Sequence, residues 1–324
     1  MRILITGGAG YIGSHVTKLL GEAGHDLVIV DNLSTGRKGS VLFGKLAVLD
    51  LCEHEKLNAL FEQEKFEACF HFAGSIVVPE SVSEPLKYYD NNTKNSLNLI
   101  KLCSDHKVNR FIFSSTAAVY GEGSPDGACG EDTALNPVNP YGRSKLMTEW
   151  MLEDYAACGD FNYVALRYFN VSGANVDLKI GQCTPNATHL IKIASECASG
   201  KRSSMSIFGD DYPTSDGTCV RDYIHIDDLA QAHVDALNYL DNNSKSEVLN
   251  CGYGHGYSVK EIIATVKKVT GADFDVSISP RREGDSAKLI SKAERIKSTL
   301  GWKPRHDNIE TIVKTAYEWE KKLK

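Results

Sequence analysis

The sequence predicts an α/β protein: a doubly wound parallel sheet with a smaller, discontinuous α/β unit attached. Three observations carry this. Short apolar runs alternate with helical stretches over the first half of the chain. A glycine-rich turn joins the first run to the first stretch. After about residue 168 the rhythm gives way to longer Gly, Pro and Asp loops, as in 208–222. Such alternation builds parallel strands covered by helices on both faces.

The elements follow in order. Strands are expected at 2–6, 26–30, 46–49, 68–72, 110–114 and 163–167, most of them short continuous apolar runs of the kind buried on both faces. Between them, helices are expected at 11–23, 53–64, 86–106 and 141–157. Farther on, strands at 223–225 and 248–250 and a helix near 227–240 can return to the main sheet. The expected large domain is therefore 1–168 plus about 223–250. The smaller one is about 169–222 plus 251–324.

The chain has 324 residues, 42% hydrophobic and 24% charged, with a formal net charge of -6. That length suits two domains. The acidic balance gives no global attraction for nucleic acid or an anionic membrane. No apolar run approaches the ~18 residues of a membrane span, and residues 1–6 run into glycines too soon for a secretory core. Nine scattered cysteines without a C-x-x-C pair read as reduced thiols, small buried hydrophobes of a cytoplasmic protein. Ten histidines without ligand spacing predict no metal.

Residues 6–13, Thr-Gly-Gly-Ala-Gly-Tyr-Ile-Gly, lie between the first strand and the first helix and hold G-x-G-x-x-G at Gly8, Gly10 and Gly13. Glycines there let backbone approach a pyrophosphate, and the helix N-terminus presents free N–H groups to it. Asp31 ends the second strand, where a carboxylate accepts hydrogen bonds from both ribose hydroxyls and repels the extra phosphate of NADP. This predicts a Rossmann-type site for NAD; nearby Arg37 is the one residue that would favour NADP. Asp50 and Leu51 follow the third strand, where Asp50 can reach an adenine amino group or cap a helix. Phe72, Ala73 and Gly74 end the fourth strand and let a cofactor pass close to the backbone.

Tyr141 and Lys145 are four apart on an expected helix, hence on one face. An ordinary phenol titrates at about 10, so ionisation near neutrality needs about 4 kcal/mol of electrostatic help. A lysine ammonium and a positive nicotinamide ring can share that task. Tyr317 and Lys321 repeat the spacing on an expected surface helix, so context decides. Tyr141 follows a run, 113–116, that ends a central strand, and strand carboxyl ends form the ligand crevice of such sheets. Thr116 puts a hydroxyl there.

The glycine turn, Ser114-Ser115-Thr116, Tyr141-x-x-x-Lys145 and Arg167-Tyr168-Phe169-Asn170 resemble the extended short-chain dehydrogenase/reductase superfamily. With 217–225 (Gly-Thr-Cys-Val-Arg-Asp-Tyr-Ile-His) and 281–285 (Arg-Arg-Glu-Gly-Asp), the chain resembles, over essentially its whole length, the UDP-galactose (UDP-glucose) 4-epimerase family. The resemblance implies Tyr141 as the base, Thr116 assisting it, and Lys145 on the nicotinamide ribose. It implies NAD held by Gly7, Gly10, Tyr11, Ile12, Gly13, Asp31, Asn32, Asp50, Leu51, Phe72, Ala73, Gly74, Asn91, Ser114 and Tyr168. Asn170, His189, Leu190, Phe208, Arg221, Arg282 and Asp285 would hold the UDP portion. Leu289 would border the sugar near its 2-substituent. Arg221 and Arg282 suit a diphosphate clamp.

One departure from the pattern is Ile76, where some members carry a Lys near the cofactor. Ala117 and Ala118 stand where related dehydratases carry acids and decarboxylases a Glu, which leaves reversible oxidation at sugar carbon 4, with NAD not consumed. The resemblance also implies a homodimer through helices near 92–106 and 144–157. Two other readings stay open: a 4-epimerase acting mainly on an N-acetylated or pentose UDP-sugar, and a non-catalytic NAD-binding sensor.

Overall fold

The computed structural model describes residues 1–185, 187–282 and 284–323. The first stretch runs β1 (Arg2–Thr6), α1 (Tyr11–Glu22), β2 (Asp26–Asp31), β3 (Lys45–Val48), α2 (His54–Glu64), β4 (Ala68–His71), α3 (Val78–Ser83), α4 (Pro85–Tyr88), α5 (Asn95–Asp105), β5 (Arg110–Ser114), β6 (Ala128–Cys129), α6 (Pro140–Ala156) and β7 (Asn162–Tyr168). The second runs β8 (Asn170–Ser172), α7 (Leu190–Ala198), β9 (Ser204–Phe208), β10 (Val220–Arg221), β11 (Tyr223–His225), α8 (Ile226–Asn243), β12 (Glu247–Cys251), β13 (Tyr257–Ser258), α9 (Val259–Thr270), β14 (Asp275–Ser279), β15 (Lys288–Ser291), α10 (Glu294–Leu300) and α11 (Ile309–Lys322).

Among the described residues, seven strands form one parallel sheet in the order β12-β7-β5-β4-β1-β2-β3. Alternate side chains of each strand enter opposite cores. Ile3 and Ile5 pack with Val16 and Leu20 of α1 and Leu229 of α8. Leu4 packs with Phe61 of α2, Leu99 of α5 and Leu152 of α6. From β1 the chain winds outward to β2 and β3, then crosses back to β4. The strand order therefore reverses between β1 and β4, and ligands of open α/β sheets bind at the carboxyl ends beside such a reversal.

The smaller part has a four-stranded sheet, β13-β10-β15-β6, and two-stranded pairs β11-β8 and β14-β9. Helices α7, α9 and α11 pack through Ile191, Val266 and Ile312. Two placements differ from the sequence expectation. Residues 223–225 do not enter the main sheet: both edges of β7 are taken, by β5 and β12, so β11 pairs with β8 instead. Residues 128–129 leave their neighbours in the chain and pair with β15. The expected helix over 86–106 also contains a wide π turn at Tyr89–Lys94. In it the Asn91 and Asn92 side chains bond to Ser75 and, from Asn92, to Ser144.

Candidate active site

A cleft of about 1530 Å³ runs along the carboxyl ends of the central strands and into the smaller part. Its end beside β1 is built by close approach of backbone to backbone. Gly7 has φ +72, and a Cβ there would meet the Ala73 nitrogen at 2.5 Å; a Cβ on Gly13 would meet the Gly7 oxygen at 2.3 Å. A side chain at Gly7 would push the turn off the backbone after β4, and one at Gly13 would push α1 off the turn. Helix α1 starts after Gly10 with no side-chain cap, so its first N–H groups remain available to an anion.

Asp31 is buried and ties the turn to β2: its carboxylate accepts from the Ala9 N–H at 2.9 Å and the Leu33 N–H at 2.8 Å. Arg37 is exposed. The Asn32 amide donates to the Asp50 carboxylate at 2.6 Å, which also accepts from the Cys52 N–H, and that bond leads the causes holding its pKa down. Tyr11, Ile12, Leu51, Phe72, Ala73, Gly74, Asn91, Ser114 and Tyr168 line the same cleft. The Ser114 and Tyr168 hydroxyls are 2.6 Å apart.

The Asn139 side chain caps α6 by accepting from the Gly142 N–H at 2.8 Å, and Pro140 opens the helix. That start puts Tyr141 in the first turn, against the end of β5. Burial pushes the Tyr141 phenol up, while a hydrogen bond from the Thr116 hydroxyl pulls it down. Lys145 lies behind the cleft wall, and burial drives its pKa down to about 8, against the pull of Glu149. Its ammonium donates to the Ser114 carbonyl at 2.9 Å rather than to the phenol, because a buried cation needs an acceptor and the strand end supplies one. Burial and Thr116 account for the shift of the Tyr141 phenol, and the Lys145 ammonium makes no hydrogen bond to it. Tyr317 and Lys321, with the same spacing, lie on α11 away from this cleft.

At the other end, Asn170, His189, Leu190, Phe208, Arg221, Arg282, Asp285 and Leu289 all face the cleft. Strands β10 and β15 set Arg221 beside Leu289. Arg221 lies 3.6 Å from the Asp285 carboxylate, and Arg282 stacks over the Phe208 ring at 3.8 Å. His189 shares a 2.8 Å hydrogen bond with Gln182, and burial lowers its pKa. Glu283, in the 281–285 motif, lies outside the described residues.

Sequence reading missed Asn92. It is 2% exposed; its Oδ1 accepts from the Ser75 N–H at 2.7 Å, and its Nδ2 donates to the Ser75 carbonyl and the Ser144 hydroxyl, both at 3.0 Å. It thus joins the loop after β4 to the start of α6. Two asparagines inside a helix, where they are poor formers, were the available signal. The fold also gathers His225, Asp227 and His306, whose ligand atoms lie within 4.8 Å of one another, although the sequence spacing gave no such hint. His225 already accepts from the Asp227 N–H and pairs with Thr315, and Asp227 accepts from Asn175 and the Val176 N–H.

Comparison with known proteins gives a consistent picture. The model of the NAD dependent epimerase/dehydratase family matches residues 3–252. A UDP-glucose 4-epimerase of Azospirillum brasilense is 48% identical over 99% of this chain and 92% of its own. The solved UDP-Glc/GlcNAc 4-epimerase of Campylobacter jejuni is 51% identical, with a TM-score of 0.87 and 99% of each chain covered. The UDP-glucose 4-epimerase of Brucella ovis, solved in complex with NAD, is 41% identical, with a TM-score of 0.95, covering 99% of this chain and 98% of that one.

Proposed function

The chain belongs to the NAD dependent epimerase/dehydratase family, and on that premise we propose that it interconverts UDP-glucose and UDP-galactose by inverting carbon 4 of the sugar. One observation carries the reading: Tyr141, with Thr116 beside it, faces a cleft that has a dinucleotide cradle at one end and two arginines, Arg221 and Arg282, at the other.

The residues fit NAD. The close Gly7–Ala73 approach and the uncapped start of α1 suit a pyrophosphate, and Asp31 suits an unphosphorylated ribose. Bound NAD supplies the oxidation of carbon 4 and its reversal. Tyr141 takes the proton of the 4-hydroxyl at its phenol oxygen, directly or through the Thr116 hydroxyl, and returns it. Lys145 would hold the nicotinamide ribose and keep positive charge behind the phenol. Arg221 and Arg282 hold the diphosphate while the 4-keto sugar turns over. Proton transfer by a matched base contributes about 10²–10⁴-fold, with positioning and electrostatics supplying much of the remainder. With Ala117 and Ala118 after Thr116, no added acid is present there to drive elimination.

A second reading extends the first: N-acetylated UDP-sugars are also turned over. Leu289 supports it, being shorter than a tyrosine at the cleft wall beside Arg221. The domain division is proposed as 1–168 plus about 223–250 for NAD, and about 169–222 plus 251–324 for the UDP-sugar, with β6 and β11 crossing over to pair within the smaller part. A homodimer through 92–106 and 144–157 is supported by Leu97 and Trp150, large apolar side chains 50% and 51% exposed on α5 and α6. Among the described residues no helix is long and apolar enough to cross a membrane. A cytoplasmic location is supported by nine free cysteine thiols. Purified protein given UDP-galactose and no added nucleotide tests the reading: it forms UDP-glucose if the reading holds, and none if it fails.

A further inference from the structure

Three consecutive residues at and just past the end of strand β5 each engage a different residue on one face of α6. The Ser114 carbonyl accepts from Lys145, the Ser115 hydroxyl donates to Glu149, and the Thr116 hydroxyl stands beside the Tyr141 phenol. Tyr141, Lys145 and Glu149 are four apart, so they stack along the helix. Glu149 is the member with no part in the mechanism above. It is 3% exposed, and its carboxylate is gripped by the Arg167 guanidinium, with Nε at 3.0 and 3.1 Å from its two oxygens and Nη2 at 2.5 Å. Arg167 in turn donates to Tyr120 at 3.0 Å, and Tyr120 donates to Asn250 at 2.7 Å.

We propose that Glu149 is a positioning residue for Lys145: its negative charge, one helical turn along, keeps the Lys145 ammonium protonated in its buried setting, and Arg167 and Ser115 fix the carboxylate in place. The inference rests on the roles of Tyr141 and Lys145 proposed above.

The surroundings of Lys145 leave this task to Glu149. From β4 it meets His71, which burial and the ammonium itself hold neutral, with a pKa lowered to about 3. From β5 it meets the Ser114 carbonyl and, at 4.9 Å, the face of the Phe113 ring. Tyr141 lies on its own helix, and from β7 Tyr168 is a neutral phenol raised by burial. Arg167, also of β7, is cationic and spent on Glu149. Among the described residues, Glu149 is the one anion opposing the burial that lowers Lys145. A Lys145 kept protonated carries the charge sign that favours a phenolate at Tyr141.

The test is a pH titration of protein carrying ¹³C at the lysine ε-carbons, followed by NMR, with the Lys145 signal assigned from Lys145→Met. In Glu149→Gln the Lys145 midpoint falls by about one pH unit or more, a tenfold loss of proton affinity, as expected for removal of a neighbouring opposite charge. The alkaline side of the kcat profile on UDP-galactose moves down with it while KM changes little, and Glu149→Asp returns both towards wild type. A purely structural role would lower the yield of folded protein and leave the midpoint where it was; equal midpoints in wild type and Glu149→Gln overturn the proposal. Should Glu149→Gln not fold, the pair Glu149→Met and Arg167→Met replaces the ion pair by apolar groups, a swap that buried pairs often tolerate. A smaller fall in the same direction is expected there, because the Arg167 cation leaves together with the carboxylate, and a midpoint equal to wild type overturns the idea. A wild-type protein without epimerase activity would overturn the proposed function instead, and leave the Lys145 titration readable.

Discussion

Arg221 and Leu289 are register partners in the parallel pair β10–β15, so the cation suited to a diphosphate and the residue proposed to border the sugar are carried side by side. The Leu289 side chain also touches the core formed by Cys129 and Phe169. Its volume is therefore set from behind as well as from the cleft. Leu289→Tyr is expected to lower kcat/KM for UDP-N-acetylglucosamine relative to UDP-glucose by about tenfold or more, within the range for a change of pocket volume by a few carbons. Specificity constants for both sugars check this. A wild type inactive on the N-acetyl sugar, with Tyr altering neither ratio nor rate, would remove Leu289 as a gate.

Tyr141→Phe is expected to fold, retain NAD and lose activity by about 10²–10⁴-fold, the usual worth of a matched base. The ring packs edge-on to Tyr88 and stays buried without its hydroxyl, so the loss should fall on kcat. Turnover near the wild-type rate at neutral pH would take the proton-transfer role away from this residue.

Asp31 serves two masters. It holds the glycine turn through the Ala9 N–H and turns its charge to the cleft. Denatured wild-type protein should release NAD and little NADP. Asp31→Ala should release less of either, because the turn loses its tether as the ribose loses its acceptor. Chromatography of the extracts decides; NADP as the main species would contradict the assignment.

Much of this was legible in the chain, and the reasons differ by element. Strands such as Arg2–Thr6 and Arg110–Ser114 are runs whose both faces are buried, so composition alone marks them. The cofactor turn was legible because only glycine fits where Gly7 meets Ala73. Partners far apart in sequence were not. Nothing local says that Ala128–Cys129 pairs with Lys288–Ser291, or that Lys145 bonds the Ser114 carbonyl. The role of Asn92 was hidden for the same reason, since its value lies in joining Ser75 to Ser144.

Stability should fall in mild acid. Burial leads the lowering of four histidines, His15 and His233 to about 4, His71 and His225 to about 3. Their folded values lie below the unfolded value of about 6.5. The stability they contribute is present above that pH and is lost as pH drops towards the folded values, because the unfolded chain binds the extra protons. The thermal midpoint should therefore decline steadily between pH 6.5 and 5, before most carboxylates titrate. A midpoint constant over that interval would contradict the argument.

The central claim is that carbon 4 is oxidised and restored within one closed site. Purified protein, with no nucleotide added, is incubated in ordinary water with UDP-galactose carrying deuterium at carbon 4, and the product is read by NMR. The account predicts UDP-glucose with the deuterium still on carbon 4. UDP-glucose that has exchanged the label for solvent hydrogen, or no UDP-glucose at all, would contradict it.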